Sequence, residues 1–237
     1  MFCTPQYFNI FSKCLALLKS KKISFAEEKI TLLCYFSLQL FIIEKIRMKN
    51  LFTLLLFCLA TNVFGQKHEV AQIKTPQGEI LVWLFNETPK HKASFIQLAK
   101  AGYWDSLTFN RVIPNFVAQG GCPDTPDGFK DSTMLLQPEF NPKLVHNYGT
   151  FAAGRDDNPA MLSARCQFYI VQNKQGLARL NNKYTVYGKV IKGMDVVDKI
   201  VNLPRNKEDE PLTPVTMDVN IIKMKAKALK KLGFNEF

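Results

Sequence analysis

The hydrophobic positions that follow residue 65 fall mostly in short runs that alternate with polar residues, as they do in β-strands. Two such runs, Glu69–Thr75 and Glu79–Phe85, are separated by Pro76-Gln77-Gly78, which is typical of a tight hairpin turn. The same pattern predicts further strands at Thr108–Ile113, Phe116–Gln119, Cys166–Gln172, Tyr184–Ile191 and Val215–Met224. The chain after residue 65 is therefore expected to be mainly β.

Two stretches follow the helical period instead. Thr88-Pro89 is expected to start the first helix, with Thr as the N-cap and Pro at the first helical position, and Gly102 is expected to follow its end. Met194, Val197 and Val201 recur at helical spacing and predict a second helix. Many short strands with two helices are typical of a β-barrel or sandwich flanked by helices.

The first 65 residues have a different pattern. Positively charged Met48-Lys49-Asn50 precedes the apolar run Leu51–Ala60, and Val63-Phe64-Gly65 ends with small residues at the −3 and −1 positions. The run is shorter than the roughly 20 apolar residues that an ordinary spanning helix needs. Residues 48–65 are therefore predicted to be a signal peptide preceded by a leader at 1–47, and the protein to be exported, either periplasmic or secreted. An uncleaved membrane anchor is the alternative.

Composition and charge narrow the possible functions. The chain has 237 residues, of which 47% are hydrophobic and 22% are charged, as in ordinary globular proteins. Its net charge is +11, yet no recognition helix, zinc finger or base-stacking motif accompanies this charge, so we expect no nucleic-acid partner. Residues 226–237 alternate Lys with Ala and Leu. They are predicted to form a basic, solvated tail, and a tail that binds a membrane surface or a partner is the alternative.

The histidines give no sign of a hydrolase or metal site, and the cysteines leave open whether a disulfide forms. Two of the six cysteines, Cys122 and Cys166, follow residue 65. Spacing alone does not distinguish a disulfide from two free thiols, and a redox role through this pair is a minor alternative. The three histidines lie in no nucleophile or metal motif, because the sequence contains no G-x-S-x-G, HExxH or CxxC.

Three sequence blocks point to a family. Phe109–Gly121 has an aromatic residue, a polar residue and Arg before an Ile-Pro turn, and then Phe, Gln and Gly-Gly. Cys166–Ile170 reads Cys-Gln-Phe-Tyr-Ile, and Leu180–Val190 reads Leu-Asn-Asn-Lys-Tyr-Thr-Val-Tyr-Gly-Lys-Val. In this order, and followed by Gly193–Val197, the blocks resemble the cyclophilin family over about residues 67–224.

The resemblance implies a fold and an activity for residues 66–225. The fold is a closed, antiparallel, eight-stranded β-barrel capped by two α-helices, and the activity is peptidyl-prolyl cis-trans isomerisation. Rotation about an X-Pro bond is opposed by amide resonance, with a barrier of about 18–20 kcal/mol. Since no bond is broken, the reaction needs no nucleophile, metal or cofactor. It needs an apolar pocket for the proline ring and a hydrogen-bond donor that favours the twisted transition state.

Arg111 can supply this donor, because its guanidinium is always charged and can bond to the proline nitrogen as resonance is lost. The resemblance implies catalytic roles for Arg111, Phe116 and Gln119. It implies substrate-binding roles for Val117, Gly154, Arg155, Gln167, Tyr169, Leu180 and Tyr184. The expected partners are proline-containing polypeptides, including exported proteins that are folding. We expect a monomer with no stable membrane span after processing.

The sequence departs from the family pattern in three places. Asp127–Ser132 has one glycine where the family commonly has several, and Ala153–Asp156 replaces a Met-Ala-Asn/Arg-Ala segment. Arg179 precedes Leu180 where relatives often have an aromatic residue. The first two departures favour an alternative in which the chain is a binding module with little catalysis, whereas Arg111, Phe116 and Gln119 favour the enzyme.

Overall fold

The computed structural model describes residues 67–122 and 134–236. It also describes a few helical residues closer to the N-terminus: Phe36, Ser37, Leu40, Ile43, Glu44, Lys45 and Arg47. Contacts divide the chain into two units, Met1–Gly65 and Gln66–Phe237. The predicted signal peptide, most of the predicted leader and the segment Asp127–Ser132 lie outside the described residues. None of the helices described is long and apolar enough to cross a membrane.

Eight antiparallel strands of the second unit form one sheet, in the order β10-β1-β2-β9-β6-β8-β4-β3, and β5 and β7 form a small second sheet. The strands are β1 (Lys67–Thr75), β2 (Gly78–Leu84), β3 (Thr108–Ile113), β4 (Val117–Gly121), β5 (Leu135–Leu136), β6 (Thr150–Ala153), β7 (Ser163–Ala164), β8 (Phe168–Val171), β9 (Val186–Lys192) and β10 (Asp218–Lys225). The mainly β, eight-stranded antiparallel architecture is confirmed.

The large sheet is strongly curled, which brings the chain near its two outer strands together. The backbone N–H of Phe109 in β3 donates to the carbonyl of Val215 at 2.9 Å. The N–H of Met217, just before β10, donates to the carbonyl of Leu107 at 2.8 Å. Complete closure of the sheet into a barrel stays a prediction.

The two predicted helices are confirmed as α1 (Pro89–Lys100) and α2 (Met194–Val201). They pack on the main core inside the curled sheet, because each has its apolar residues on one face. Phe95 of α1 lies 4.6 Å from the ring of Trp104 and 5.4 Å from that of Phe151, measured between centroids. The ring of Phe168 lies 4.8 Å from that of Phe151, with the two ring planes tilted by 34°. These large buried rings set the separation of α1 from the sheet.

The N-terminus of α1 is capped differently from the prediction. Thr88 occupies the N-cap position and Pro89 starts the helix, but the Thr88 side chain makes no capping bond. The carboxylate of Glu139, from a distant loop, accepts hydrogen bonds from the backbone N–H of Lys90 at 3.1 Å and of His91 at 2.9 Å. A negative charge at a helix N-terminus is stabilising, so this loop fixes the start of α1.

The strand predictions differ from the structure by two or three residues at several ends, and more clearly in two places. Phe116 was expected inside a strand, but it lies in a turn and β4 begins at Val117. Pro114 and Asn115 cause this, because proline has no N–H to donate and Asn115 has a φ of 58°. The buried strand β6, Thr150–Ala153, was not predicted, because four consecutive buried residues show no alternation.

The C-terminal segment is folded, which corrects the expectation of a solvated tail. Residues Ala226–Lys231 form helix α3. Leu229 is completely buried, and the ring of Phe234 lies 5.0 Å from that of Trp83. The apolar residues of the segment cover the outer face of β1 and β2, in contact with Val70, while its lysines stay exposed. The alternation of Lys with Ala and Leu is thus that of a short amphipathic helix.

We predict that Phe234→Ala lowers the free energy of unfolding by about 2–3 kcal/mol. This is near the low end of the range for a buried Phe, because a terminal segment can undock locally. Urea denaturation followed by tryptophan fluorescence measures it. Asn235→Ala, at an exposed neighbour, should change stability by less than about 0.5 kcal/mol. Equal free energies of unfolding for the two variants would mean that the docked segment contributes nothing to stability.

Candidate functional site

Arg111 and Gln119 are brought together by the pairing of β3 with β4. They are cross-strand partners in the antiparallel ladder, so their side chains emerge on the same face of the sheet. The Arg111 Nη1 atom lies 3.4 Å from Gln119 Oε1, which makes a long hydrogen bond. Gln119 thus keeps the Arg111 guanidinium over the sheet surface and leaves its other N–H groups for a ligand.

The turn between β3 and β4 carries Phe116 and is held from two sides. The backbone N–H of Asn115 donates to Gln172 Oε1 at 2.7 Å, and Gln172 Nε2 donates to Asp198 of α2 at 2.8 Å. The side-chain amide of Asn173 donates to the Asn115 carbonyl at 2.8 Å. These bonds fix the exit of the turn, so Phe116 has a defined position against the sheet.

The predicted site residues surround one cavity of about 300 Å³. All of them line it: Arg111, Phe116, Val117, Gln119, Gly154, Arg155, Gln167, Tyr169, Leu180 and Tyr184. Asp156 lines it as well. A larger cavity of about 770 Å³, which includes Trp83 and Lys189, contains none of the predicted residues. The structure therefore places the predicted residues in a single site, while their separate roles stay predictions.

Gln167 and Gly154 meet at the edge of this cavity. The Gly154 N–H donates to the Gln167 carbonyl at 2.9 Å, and a Cβ on Gly154 would collide with the Gln167 side chain. Gln167 follows Cys166, which forms a disulfide bond with Cys122 at the end of β4. The indole of Trp104 donates to the Cys166 carbonyl at 2.8 Å. The spacing of Cys122 and Cys166 left open whether they pair, and in the structure they form a disulfide. This bond ties Gln167 to β4.

Tyr169 is held by a buried chain of hydrogen bonds that the sequence did not reveal. Asn181 Oδ1 accepts from the backbone N–H of His146 and from its Nδ1, both at 2.9 Å. Since Nδ1 therefore carries the proton in the neutral ring, Nε2 accepts from the Tyr169 hydroxyl at 2.8 Å. The sequence gives one sign of this network, the tyrosine in the Cys-Gln-Phe-Tyr-Ile block, because a buried hydroxyl needs a partner.

Burial keeps this chain in its neutral form. It raises the pKa of the Tyr169 hydroxyl well above its ordinary value. It lowers the pKa of His146, and the hydrogen bond to Asn181 opposes this shift only in part. At neutral pH the Tyr169 hydroxyl therefore donates to an uncharged imidazole, and the ring that forms a wall of the cavity is fixed.

Two further arginines lie over the aromatic walls. The guanidinium carbon of Arg155 is 4.7 Å from the centroid of the Tyr184 ring. That of Arg179, which was noted only as a departure from the family pattern, is 4.9 Å from the centroid of the Phe116 ring. The site thus has an apolar, partly aromatic interior and guanidinium groups at its rim. Such a site suits an apolar ring next to a hydrogen-bond acceptor.

Comparisons with known proteins agree with this geometry. The model of the family described as cyclophilin type peptidyl-prolyl cis-trans isomerase/CLD matches residues 70–221. A peptidyl-prolyl cis-trans isomerase of Acinetobacter baylyi is 35% identical over 164 residues, which are 68% of this chain and 86% of the relative. Peptidyl-prolyl cis-trans isomerase B of Bacillus subtilis is 39% identical over 118 residues, 48% of this chain and 76% of the relative.

A solved structure is similar in fold. It is a cyclophilin type peptidyl-prolyl cis-trans isomerase of Cryptosporidium parvum, crystallised in the presence of the dipeptide Ala-Pro. The similarity has a TM-score of 0.58 with 26% sequence identity, and covers 65% of this chain and 98% of that protein.

We predict that stability falls as the pH falls from about 7.5 to 5. The unfolded chain protonates its histidines near pH 6.5, whereas burial lowers the pKa of His146 and of His91 in the folded protein. The unfolded state therefore binds more protons in this range, with a slope approaching about 1.4 kcal/mol per pH unit for each histidine. Urea denaturation across the pH range measures this slope. His146→Gln should reduce the slope, and the part of the slope that remains should come from His91.

Tyr169→Phe is the matched control. It removes the hydrogen bond to His146 Nε2 but keeps the imidazole buried, and it should cost about 1–3 kcal/mol at pH 7.5. Its pH dependence should stay close to that of the wild type. A slope unchanged by His146→Gln would show that His146 does not contribute to the acid sensitivity.

Proposed function

The chain belongs to the cyclophilin-type peptidyl-prolyl cis-trans isomerase family and is an isomerase of this type, and we propose that the cavity around Arg111 is where it acts. The observation that supports this most is the convergence of Arg111, Phe116 and Gln119 on one cavity with apolar walls. In this proposal the protein assists the folding of exported proteins, for which X-Pro isomerisation is a slow step.

The proline ring would occupy the apolar part of the cavity. Phe116, Val117 and Tyr169 belong to one hydrophobic cluster with Leu180 and Tyr184. Val117 and Tyr169 are nearly inaccessible to solvent, so the walls that they form are rigid. The related protein of Cryptosporidium parvum was crystallised in the presence of the dipeptide Ala-Pro, which contains a proline ring of the kind proposed to occupy this cavity.

Arg111 would stabilise the twisted amide. As the C–N bond rotates, conjugation is lost and the lone pair localises on the proline nitrogen, which becomes a hydrogen-bond acceptor. A guanidinium N–H aimed at this nitrogen binds the transition state better than the planar ground state. Gln119 keeps Arg111 in place through Oε1, and its own NH₂ group can donate to the carbonyl before proline.

We predict that Arg111→Ala lowers kcat/KM by about 10²–10³-fold, the loss expected for a preorganised donor that acts in the transition state. Two-dimensional exchange NMR of short X-Pro peptides with the purified protein measures the rate without a coupled protease.

Two variants serve as controls for Arg111. Arg111→Lys keeps the charge but not the planar fork and should recover only part of the activity. Arg205→Ala removes an arginine paired with Asp209 and should keep full activity. If the folded wild-type protein accelerates isomerisation in none of several peptides with different residues before proline, the result would favour a peptide-binding cyclophilin fold instead of an enzyme.

Two observations support the proposed export. Residues 48–65 have the charge, apolar length and small terminal residues of a signal peptide. The domain also contains the Cys122–Cys166 disulfide, and disulfides persist mainly in oxidising compartments such as the periplasm and the cell exterior. Together they favour a periplasmic or secreted protein over a cytosolic one.

We predict that the full chain, expressed in a bacterium with a periplasm, is recovered outside the cytoplasm with Gln66 as its first residue. Cell fractionation and N-terminal sequencing measure this. A chain with Leu55→Arg, which interrupts the apolar run, should stay in the cytoplasm unprocessed. Recovery of the unmodified chain from the membrane fraction with residues 48–65 intact would favour the anchor, and recovery from the cytoplasm would overturn export.

A further inference from the structure

The rim of the cavity carries more positive charge than rotation about a peptide bond requires. Arg111 suffices as the donor to the proline nitrogen, yet Arg155 also lines the cavity and Arg179 lies over its Phe116 wall. Neither additional guanidinium has a role in the isomerisation itself. Their contacts show what kind of group they would bind.

Arg155 has unused hydrogen-bonding capacity. Its side chain is only 10% exposed, and its Nε lies buried without a hydrogen-bond partner among the described residues. Its Nη1 makes a long bond of 3.3 Å to the carbonyl of Asp156. The guanidinium plane is supported by the Tyr184 ring, which leaves N–H groups in that plane to bind a ligand. An acceptor from a bound peptide would approach through the cavity that Arg155 lines, and would bond to the terminal N–H groups of the guanidinium.

Arg179 is placed by local structure. It is the central residue of a short 3₁₀ helix, Ala178–Leu180, whose last residue is the Leu180 of the cavity wall. The side chain is exposed, and its guanidinium rests on the Phe116 ring. A segment whose proline contacts Phe116 would therefore pass close to this charge.

Exposed acidic residues also lie near these arginines in the part of the chain that the structure describes. Asp156 is the acidic residue among the described lining of the cavity, and its side chain is exposed. Asp157 lies 3.7 Å from Arg155 Nη1 and is fully exposed, so solvent screens most of that attraction. With Arg111, the described residues place three guanidinium groups against these two carboxylates, so the described part of the rim is positive.

We propose that this site prefers proline-containing segments that carry an Asp or Glu carboxylate next to the proline, bound through Arg155 and Arg179. The preference rests on the proposed function, because it concerns the same cavity. A carboxylate offers two acceptor oxygens in the geometry that a guanidinium fork matches, and charge-assisted bonds are about twice as strong as neutral ones. The positive rim also draws an acidic segment toward the site and repels a basic one.

The test compares peptides that differ in one residue. Glu, Gln or Lys is placed immediately before or immediately after the proline of an otherwise neutral peptide, and kcat/KM and Kd are measured with the purified protein by NMR. The Glu peptide should exceed the Gln peptide by about two- to fivefold at low salt in at least one position, and the Lys peptide should be the weakest. The ratio should shrink toward one in about 0.5 M NaCl, because salt screens exposed charges.

Variants assign the preference to the two arginines. In Arg155→Gln and in Arg179→Gln the ratio of the Glu to the Gln peptide should fall toward one, whatever happens to the rate on the neutral peptide. Lys74→Gln removes a positive charge from an exposed site on β1 outside the cavity and should leave the ratio unchanged. Equal loss in all three variants would mean that net charge, and not the site, sets the preference, which would overturn the proposal.

Failure of this inference is distinguishable from failure of the proposed function. If all peptides are isomerised with equal kcat/KM and bound with equal Kd, the isomerase stands and the acidic preference is wrong. If no peptide is isomerised, the proposed function is wrong, and the Glu-to-Gln ratio of Kd from the same samples still decides the preference.

Discussion

The alternation of side chains along β8 is the constraint on which core and site both depend. Phe168 and Ile170 point inward and are completely buried in the main core. Tyr169, between them, must therefore face the opposite side of the sheet, where it joins Val117 in the cluster beneath the cavity. A shift of one residue in the pairing of β8 with β4 or β6 would exchange the two faces and destroy both. The stability of the aromatic core thus enforces the shape of the site.

The parts of the site that could be predicted are those that local sequence determines. Arg111 and Gln119 belong to a single hairpin whose register follows from the sequence, and Gln167, Tyr169, Leu180 and Tyr184 lie in short family motifs. The convergence of these residues on one cavity was predictable only from the family resemblance. Alternation along a strand predicts which side chains share a face of the sheet, but it does not predict which strand lies next to it. The short strand β6, which brings Gly154 and Arg155 to the site, has too little pattern to be recognised.

What could not be predicted depends on pairs of residues far apart in the chain. Glu139 caps α1 from 48 residues away, His146 holds Tyr169 from 23 away and Asn181 holds His146 from 35 away. Each of these residues has several possible partners in the sequence, and only the fold selects one. The C-terminal segment shows a different limit. A short run of Lys, Ala and Leu is compatible with a solvated tail. The apolar surface around Trp83 that the segment covers is formed only when the sheet folds.

The disulfide has a topological consequence for the site. It joins residues 44 positions apart and so closes a covalent ring in the chain. Arg111, Phe116, Val117 and Gln119 precede the ring, Gly154 and Arg155 belong to it, and Gln167, Tyr169, Leu180 and Tyr184 follow it. A single cleavage of the backbone anywhere within the ring would open it without separating the two pieces, because Cys122 and Cys166 still connect them. The half of the site that carries Arg111 would stay attached to the half that carries Tyr169, so a nicked molecule would keep both halves of its site together.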